Sequence, residues 1–247
     1  MIKLTLPPKP AKLEENENIL TAEFKADNNK LVWKKEYIIK PLLEMTYGKC
    51  AYSEVKLNQN GSYCEVEHFK HKDKYPDDVV KWGNLLPSCK TCNVSKGTWD
   101  VVAHPIVNPL VDIPSNHLYM QGCRYYKKDI KGENTIIALN LNDNTQFVLP
   151  RFRIASDLCD RLENEFSSIK EAIKCNNIKQ QKLHFNKIVE IVRKCLPTEE
   201  YSASVATFLL FDSPVYEEIK TYLQKCKLWN EELDNIDLTL KQIALGK

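Results

Sequence analysis

Four short stretches of this chain carry side chains whose types and spacing could do chemistry together. They are Cys50-Ala-Tyr-Ser53-Glu54, Val66-Glu67-His68-Phe69, Trp82-Gly-Asn84-Leu-Leu and Cys89-Lys-Thr-Cys92-Asn93-Val-Ser-Lys96-Gly97. A Glu-His dipeptide says little by itself; its weight here comes from the asparagines that follow at Asn84 and Asn93. Hydrolysis of a phosphodiester requires an activated water, neutralisation of the charge that builds on the phosphoryl oxygens, and stabilisation of the leaving oxygen. A neutral imidazole such as that of His68 can take the water proton. Carboxylate and amide oxygens, as on Glu67 and Asn93, suit a hard divalent ion such as Mg²⁺ or Mn²⁺, which keeps room for water and substrate.

The cysteines form a second set. Cys89-x-x-Cys92 has the spacing of half a zinc knuckle, and Cys50 begins another half that ends in Ser53 instead of a thiol. A neutral serine replaces a thiolate poorly. Three readings stay open: Cys64 or His71 completes a structural Zn²⁺ site, zinc binds weakly through Cys50, Cys89 and Cys92, or the fold dispenses with zinc. Lys96, near an expected helix start, could meet a nucleic-acid phosphate as a point charge. Lys70, Lys72 and Lys74 could extend that contact, though a run of lysines also reads as solvated surface. Cys123, Cys159, Cys175, Cys195 and Cys226 lie scattered and read as small buried residues.

These residues need elements to hold them. The opening dozen residues, with three prolines, read as extended chain lying against another element. Leu31, Tyr37, Ile38, Leu42 and Leu43 recur at helical intervals and predict a helix from about Lys30 to Met45, ended by Gly48 so that Cys50 follows on a turn. Asn58 to Gly61 reads as a turn, Tyr63 to Glu67 as a strand, and His71 to Asp78 as a loop. Asn84 to Pro87 predicts a second strand, with a helix starting near Cys89. Three prolines between Pro105 and Pro114 make an irregular connection. Asn134 to Leu141 suggests a strand, with Gly132 in the turn before it. Beyond Pro150 the pattern turns helical: Ile154, Leu158, Leu162, Phe166 and Ile169 form one stripe, and Leu183, Ile188, Ile191 and Val192 another. Thr198 is placed to cap a further helix through Phe211, and Pro214 to start one more.

Bulk properties set wider bounds. The chain has 247 residues, 43% hydrophobic and 28% charged, as expected of a globular protein. A net charge of +2 is too small to announce a nucleic-acid partner by composition. No stretch has the apolar core of a secretory signal or the length of a membrane span, which predicts a cytoplasmic protein with no membrane partner. Nine cysteines in that setting, an odd number, argue against a disulfide framework.

Taken together, Cys50-Ala-Tyr, Glu67-His68-Phe69, Trp82-x-Asn84-Leu-Leu and Cys89-x-x-Cys92-Asn93-x-x-Lys96-Gly97 resemble the HNH endonuclease superfamily. Two further runs, Asn108-Pro-Leu-Val-Asp112-Ile-Pro114-Ser-Asn-His117-Leu118 and Gly132-Glu-Asn-Thr135-Ile136-Ile-Ala-Leu-Asn140-Leu, resemble the PtuB proteins of Septu and retron-linked antiphage systems. The similarity spans roughly residues 30–151. It implies an α+β fold with a ββα-metal (HNH) finger embedded in a mainly helical scaffold. The domain layout it suggests is an extended segment and packing helix over 1–46, the nuclease core over 47–104, and a connecting segment with helical region over 105–247. His68 would be the general base, Glu67 and Asn93 the ligands of a catalytic Mg²⁺ or Mn²⁺, and Asn84 the residue that holds the loop and orients His68. The resemblance further implies DNA cleavage beside a PtuA-like ATPase partner, with the region after Pro150 as the candidate contact. It departs from the pattern at Ser53, where a cysteine is usual, and at His71, where a proline is common. Two other readings are weighed beside it: a zinc-knuckle module that binds nucleic acid without cutting, and a stand-alone restriction-like HNH nuclease. A pure binder needs basic residues rather than the trio of Glu67, His68 and Asn93.

Overall fold

A computed structural model describes residues 1–58 and 63–247 and divides them into two compact units. The first comprises Met1–Leu118 with Tyr126–Asn142, and the second Tyr119–Tyr125 with Asp143–Lys247. The class is α+β: long helices and two small two-stranded sheets. Of the turn expected over Asn58 to Gly61, residues 59–61 lie outside the described residues.

In the first unit, the extended N-terminal segment is tied down at Leu4, whose N–H reaches the Pro109 carbonyl at 2.8 Å, and at Pro7, whose carbonyl accepts from the Trp82 indole at 2.8 Å. Helix α1 (Ala11–Ala26) follows, burying Leu13, Glu17, Leu20 and Phe24 at helical spacing. Glu17 can lie inward because Lys9 and Lys81 neutralise it. Helix α2 (Glu36–Met45) starts six residues later than the apolar pattern suggests. The Asp27 side chain catches the Asn29 N–H in a turn, and Trp33 swings inward to pack edge-on against Phe24, so this stretch cannot continue as a helix. Gly48, at φ +70°, closes α2 by donating to the Leu43 carbonyl at 2.7 Å, a left-handed geometry that glycine adopts freely.

Strands β1 (Glu65–His68) and β2 (Leu85–Ser88) pair antiparallel, with His68 opposite Leu85 and Glu65 opposite Ser88. Helix α3 (Lys90–Lys96) leaves β2 directly after Cys89. The core beneath them joins Leu13, Phe24, Trp33, Ile38, Val66 and Leu85. A second apolar group, Val101, Ile106 and Ala138 with Phe69 and Trp99 against it, secures the irregular stretch after α3. A short hairpin follows, β3 (Leu118–Gln121) and β4 (Arg124–Lys127).

The strand expected over Asn134 to Leu141 is instead helix α4 (Ile130–Ala138). Asp129 caps it by accepting from the Gly132 N–H at 2.8 Å, and that start signal overrides the β-branched Ile136-Ile137 pair. Gly132 therefore lies inside a helix, where it lets the His117 backbone approach: a Cβ there would sit 2.0 Å from the His117 carbonyl oxygen.

The second unit contains α5 (Leu149–Lys174), α6 (Ile178–Arg193), α7 (Ser202–Thr207), α8 (Val215–Lys225) and α9 (Glu231–Ile243). The α5 stripe is buried at Leu158, Leu162, Phe166 and Ile169, and that of α6 at Ile188, Ile191 and Val192, whereas Leu183 is exposed. Thr198 does not cap α7. It lies in the turn before the helix, which begins only after Tyr201 in a left-handed conformation (φ +52°) and ends in a wider π turn over Phe208–Asp212. Pro214 stands at the N-cap of α8, and α9, capped by Asn230 on the Leu233 N–H, has no counterpart in the sequence-based expectation. Cys123, Cys159 and Cys195 are buried as expected; Cys175 is exposed instead, because it falls at the C-terminal end of α5. Among the described residues no helix is long and apolar enough to cross a membrane.

Candidate active site

Alternation along β1 puts Glu65 and Glu67 on one face and Val66 and His68 on the other. Among the described residues β1 pairs only with β2, and on its other side the His68 carbonyl is met by Lys96 of α3. A cleft of about 530 Å³ runs by the strand, bordered by Glu65, Glu67, His68, Lys72 and Asn93, with Trp33 as an apolar wall. Six residues singled out from the sequence thus meet at one opening: Cys64, Glu67, His68, His71, Lys72 and Asn93.

His68 is 6% exposed, and Trp33 stands edge-on to its ring with centroids 4.6 Å apart. Its Nε2 lies 2.9 Å from the Val79 carbonyl oxygen. A carbonyl only accepts, so Nε2 carries the proton and Nδ1 is the bare nitrogen of the neutral ring. Burial lowers the imidazole pKa to about 4, with the Lys72 and Lys96 charges acting in the same direction and the Val79 bond opposing them.

Asn84 does not border the cleft. Its Oδ1 accepts from the Lys70 N–H at 2.7 Å, and its Nδ2 donates to the carbonyls of Lys70 and Asp78 at 3.1 and 2.9 Å. One side chain therefore clamps both ends of the 70–78 loop, and the next carbonyl along, that of Val79, is the one holding His68.

Glu67 is 3% exposed and forms an ion pair with Lys96 at 2.5 Å. Burial raises its carboxyl to about 7, and the Lys96 ammonium keeps it from rising further. Lys96 also donates to the His68 carbonyl at 2.8 Å. The sequence-based expectation that Lys96 meets a phosphate is corrected here: its ammonium is fully enclosed, because the last turn of α3 packs against β1 and an acid waits there to receive it. Lys72, in contrast, borders the cleft, over the rings of Phe24 and Trp33 at 5.7 and 5.8 Å and paired with Asp73 at 2.9 Å. Lys70 and Lys74 are paired with Asp78 and Asp100.

Asn93, on α3, donates its amide nitrogen to the Glu65 carboxylate. Glu65 was not among the residues singled out from the sequence. The period of two along a strand, counted back from Glu67, was the available signal. Trp33 was hidden within an expected helix.

The cysteines gather below. The sulfurs of Cys50, Cys89 and Cys92, all buried, lie within 4.8 Å of one another, a group that could bind a metal ion. Burial works against a charge on Cys50, yet hydrogen bonds from Cys89, Cys92 and Ser53 bring its thiol well below the usual range. Hydrogen bonding to Cys50 pushes Cys89 up to about 12, and burial first, then the same sulfur, holds Cys92 well above its ordinary value. Ser53 Oγ is 3.6 Å from Cys89 Sγ, beside the group. Among the described residues neither Cys64 nor His71 joins it; His71 borders the cleft instead. Tyr52, fully buried, senses both clusters: burial raises its phenol well above normal, and the charges of Glu67, Cys50 and Cys92 add to that.

The donor chemistry fits two kinds of metal. Three convergent thiols suit a tetrahedral zinc, whose bonds of about 2.3 Å need sulfurs roughly 3.8 Å apart, a value inside the 4.8 Å that bounds the group. At the cleft, the carboxylate of Glu67 and the amide oxygen of Asn93 suit a hard cation.

The chain is 41% identical over 237 residues to the Septu protein PtuB of Bacillus thuringiensis, a match covering 94% of this chain and 90% of that protein. It is 28% identical over 165 residues to the Septu protein PtuB of Bacillus mycoides, covering 51% of this chain and 53% of that one. No family model matches the chain.

Proposed function

From the premise that the chain belongs to the Septu PtuB family, components of antiphage defence, we propose that it is an HNH-type endonuclease that hydrolyses DNA phosphodiester bonds. The single observation that carries this reading is the Nε2 bond from His68 to the Val79 carbonyl, which leaves Nδ1 unprotonated on a residue bordering the cleft. In this reading β1, β2 and α3 are the ββα-metal finger, with residues 47–104 as its domain. Nδ1 takes the proton of the attacking water. A ring with a pKa of about 4 is a weak base in the resting fold, but a phosphodiester anion in the cleft favours the protonated ring and raises its basicity at the moment of use. Lys72 adds positive charge beside the phosphate path. Asn84 acts through the loop, by keeping the Val79 carbonyl where it orients the imidazole.

Glu67 and Asn93 would hold Mg²⁺ or Mn²⁺, which when bound supplies charge neutralisation at the phosphoryl group and at the leaving oxygen. Cys50, Cys89 and Cys92 would hold a structural Zn²⁺, with Ser53 or water as the fourth, weaker ligand. The partner in this reading is a PtuA-like ATPase, met through the helices after residue 150, and the compartment is the cytoplasm.

The test is plasmid cleavage with Mg²⁺ or Mn²⁺ by the native chain, by His68→Ala, and by each mixed with a PtuA-like ATPase. Cleavage by the native chain that disappears in His68→Ala is the expected result. Intact plasmid under every metal and partner condition, together with undiminished phage protection by His68→Ala in cells, would sink the nuclease reading.

A further inference from the structure

The two ends of an asparagine side chain have the same shape and opposite chemistry: Nδ2 only donates and Oδ1 only accepts. A metal can use the oxygen alone. Which end Asn93 shows to the cleft is therefore decided by whatever binds the other end. That partner is Glu65, whose carboxylate oxygen accepts from Asn93 Nδ2. Both backbones are secured. Glu65 is paired with Ser88 across the sheet, and Asn93 sits in the helical ladder of α3, its N–H on the Cys89 carbonyl and its own carbonyl on the Gly97 N–H, each at 3.0 Å. Glu65 and Glu67 share one face of β1, and Asn93 and Lys96 one side of α3, so the strand and helix meet through two polar rungs, Glu65 to Asn93 and Glu67 to Lys96.

We propose that Glu65 is a positioning residue: its carboxylate holds the Asn93 amide nitrogen so that the amide oxygen faces the cleft, ready for a divalent cation. This rests on the reading of Glu67 and Asn93 as cation-binding residues and adds to it the group that gives Asn93 its direction. Partners of this outer kind commonly change metal affinity by 10- to 100-fold when removed, without touching the ion.

The experiment is calorimetric Mn²⁺ titration of the full, zinc-saturated chain without nucleic acid, comparing wild type, Glu65→Ala, Asn93→Ala and the double variant. A residue acting through Asn93 gives a non-additive cycle. Glu65→Ala weakens Mn²⁺ about tenfold alone and adds nothing once Asn93 is alanine. Glu65→Gln, which keeps the shape but can show Asn93 either end of an amide, loses less and is also silent in the Asn93→Ala background. It carries the test if the alanine variant does not fold. Losses that multiply in the double variant would overturn the proposal, since Glu65 would then act independently of Asn93. An unchanged affinity in Glu65→Ala and Glu65→Gln would overturn it alone, leaving the cation reading of the cleft in place. Absence of Mn²⁺ binding by the wild type would overturn both.

Discussion

Replacing Lys96 by methionine, which keeps the length of the side chain and removes its charge, should destabilise the protein by an amount that depends on pH. Lys96 is fully enclosed and serves two acceptors, the Glu67 carboxylate at 2.5 Å and the His68 carbonyl at 2.8 Å. Burial holds the Glu67 carboxyl at about 7 with Lys96 opposing a further rise, so the variant value lies higher still. A carboxyl whose pKa is raised by folding costs stability above its unfolded value of about 4.3, and the cost grows until pH passes the folded value. At pH 6, on the acid side of the raised folded value, the protonated form of Glu67 is favoured in both proteins. The variant then lacks chiefly the charged hydrogen bond to His68, a loss of about 1.5–3 kcal/mol. At pH 9 the wild-type carboxylate is ionised beside its ammonium, while the variant must either hold its proton or bury a lone charge. Each unit of further upward shift adds about 1.4 kcal/mol, so the total approaches the roughly 3–5 kcal/mol typical of a broken buried pair. Urea unfolding of both proteins at pH 6 and pH 9, with chelator present, measures the difference. A loss of equal size at the two pH values, or a larger one at pH 6, would refute the reasoning.

Three other expectations can be checked on the purified chain. Asn84→Ala strips three backbone groups of the 70–78 loop of their partner and should cost about 3 kcal/mol in urea unfolding, at roughly 1 kcal/mol or more per unsatisfied group; the ¹⁵N shifts of His68 should move toward a mixture of tautomers, and unchanged shifts would detach Asn84 from that ring. Ser53→Cys places a fourth thiol beside Cys89; Co²⁺-substituted protein should gain thiolate charge-transfer absorption and hold its metal more tightly, and a spectrum identical to wild type would put Ser53 outside the ligand shell. Gly132→Ala drives a Cβ to within 2.0 Å of the His117 carbonyl oxygen, so α4 must shift; a thermal midpoint within a degree of wild type would show that this close approach is not a constraint.

The order strand, loop, strand, helix was legible because short apolar runs there are punctuated by the residues that turn the chain, and β1 and β2 lie within two residues of the expected spans. Helix α1 was not, because its buried stripe spends one of four positions on Glu17, a residue that reads as surface until Lys9 and Lys81 are seen beside it. Lys96 failed for the same reason: burial of a lysine depends on an acid that arrives from another element, Glu67 on β1. Helix α4 shows local competition, with the Asp129 cap and tertiary contact at Gly132 prevailing over two isoleucines. At the site, Glu67, His68 and Asn93 could be read from types and spacing, whereas Glu65 was signalled only by the strand period and Trp33 was hidden within an expected helix.

The opposite orientation of Glu67 and His68 makes the β1–β2 pairing a discrete setting rather than a graded one. Side chains alternate every residue, so a slip of one place would send the acid to the Trp33 side and the imidazole toward Lys96, with both strands still hydrogen-bonded. Such a chain would remain folded in outline and present the wrong group on each side. Mutational tolerance should therefore be asymmetric: conservative exchanges at Val66 absorbed, and single-residue insertions or deletions within β1 silent in expression yet fatal to the site.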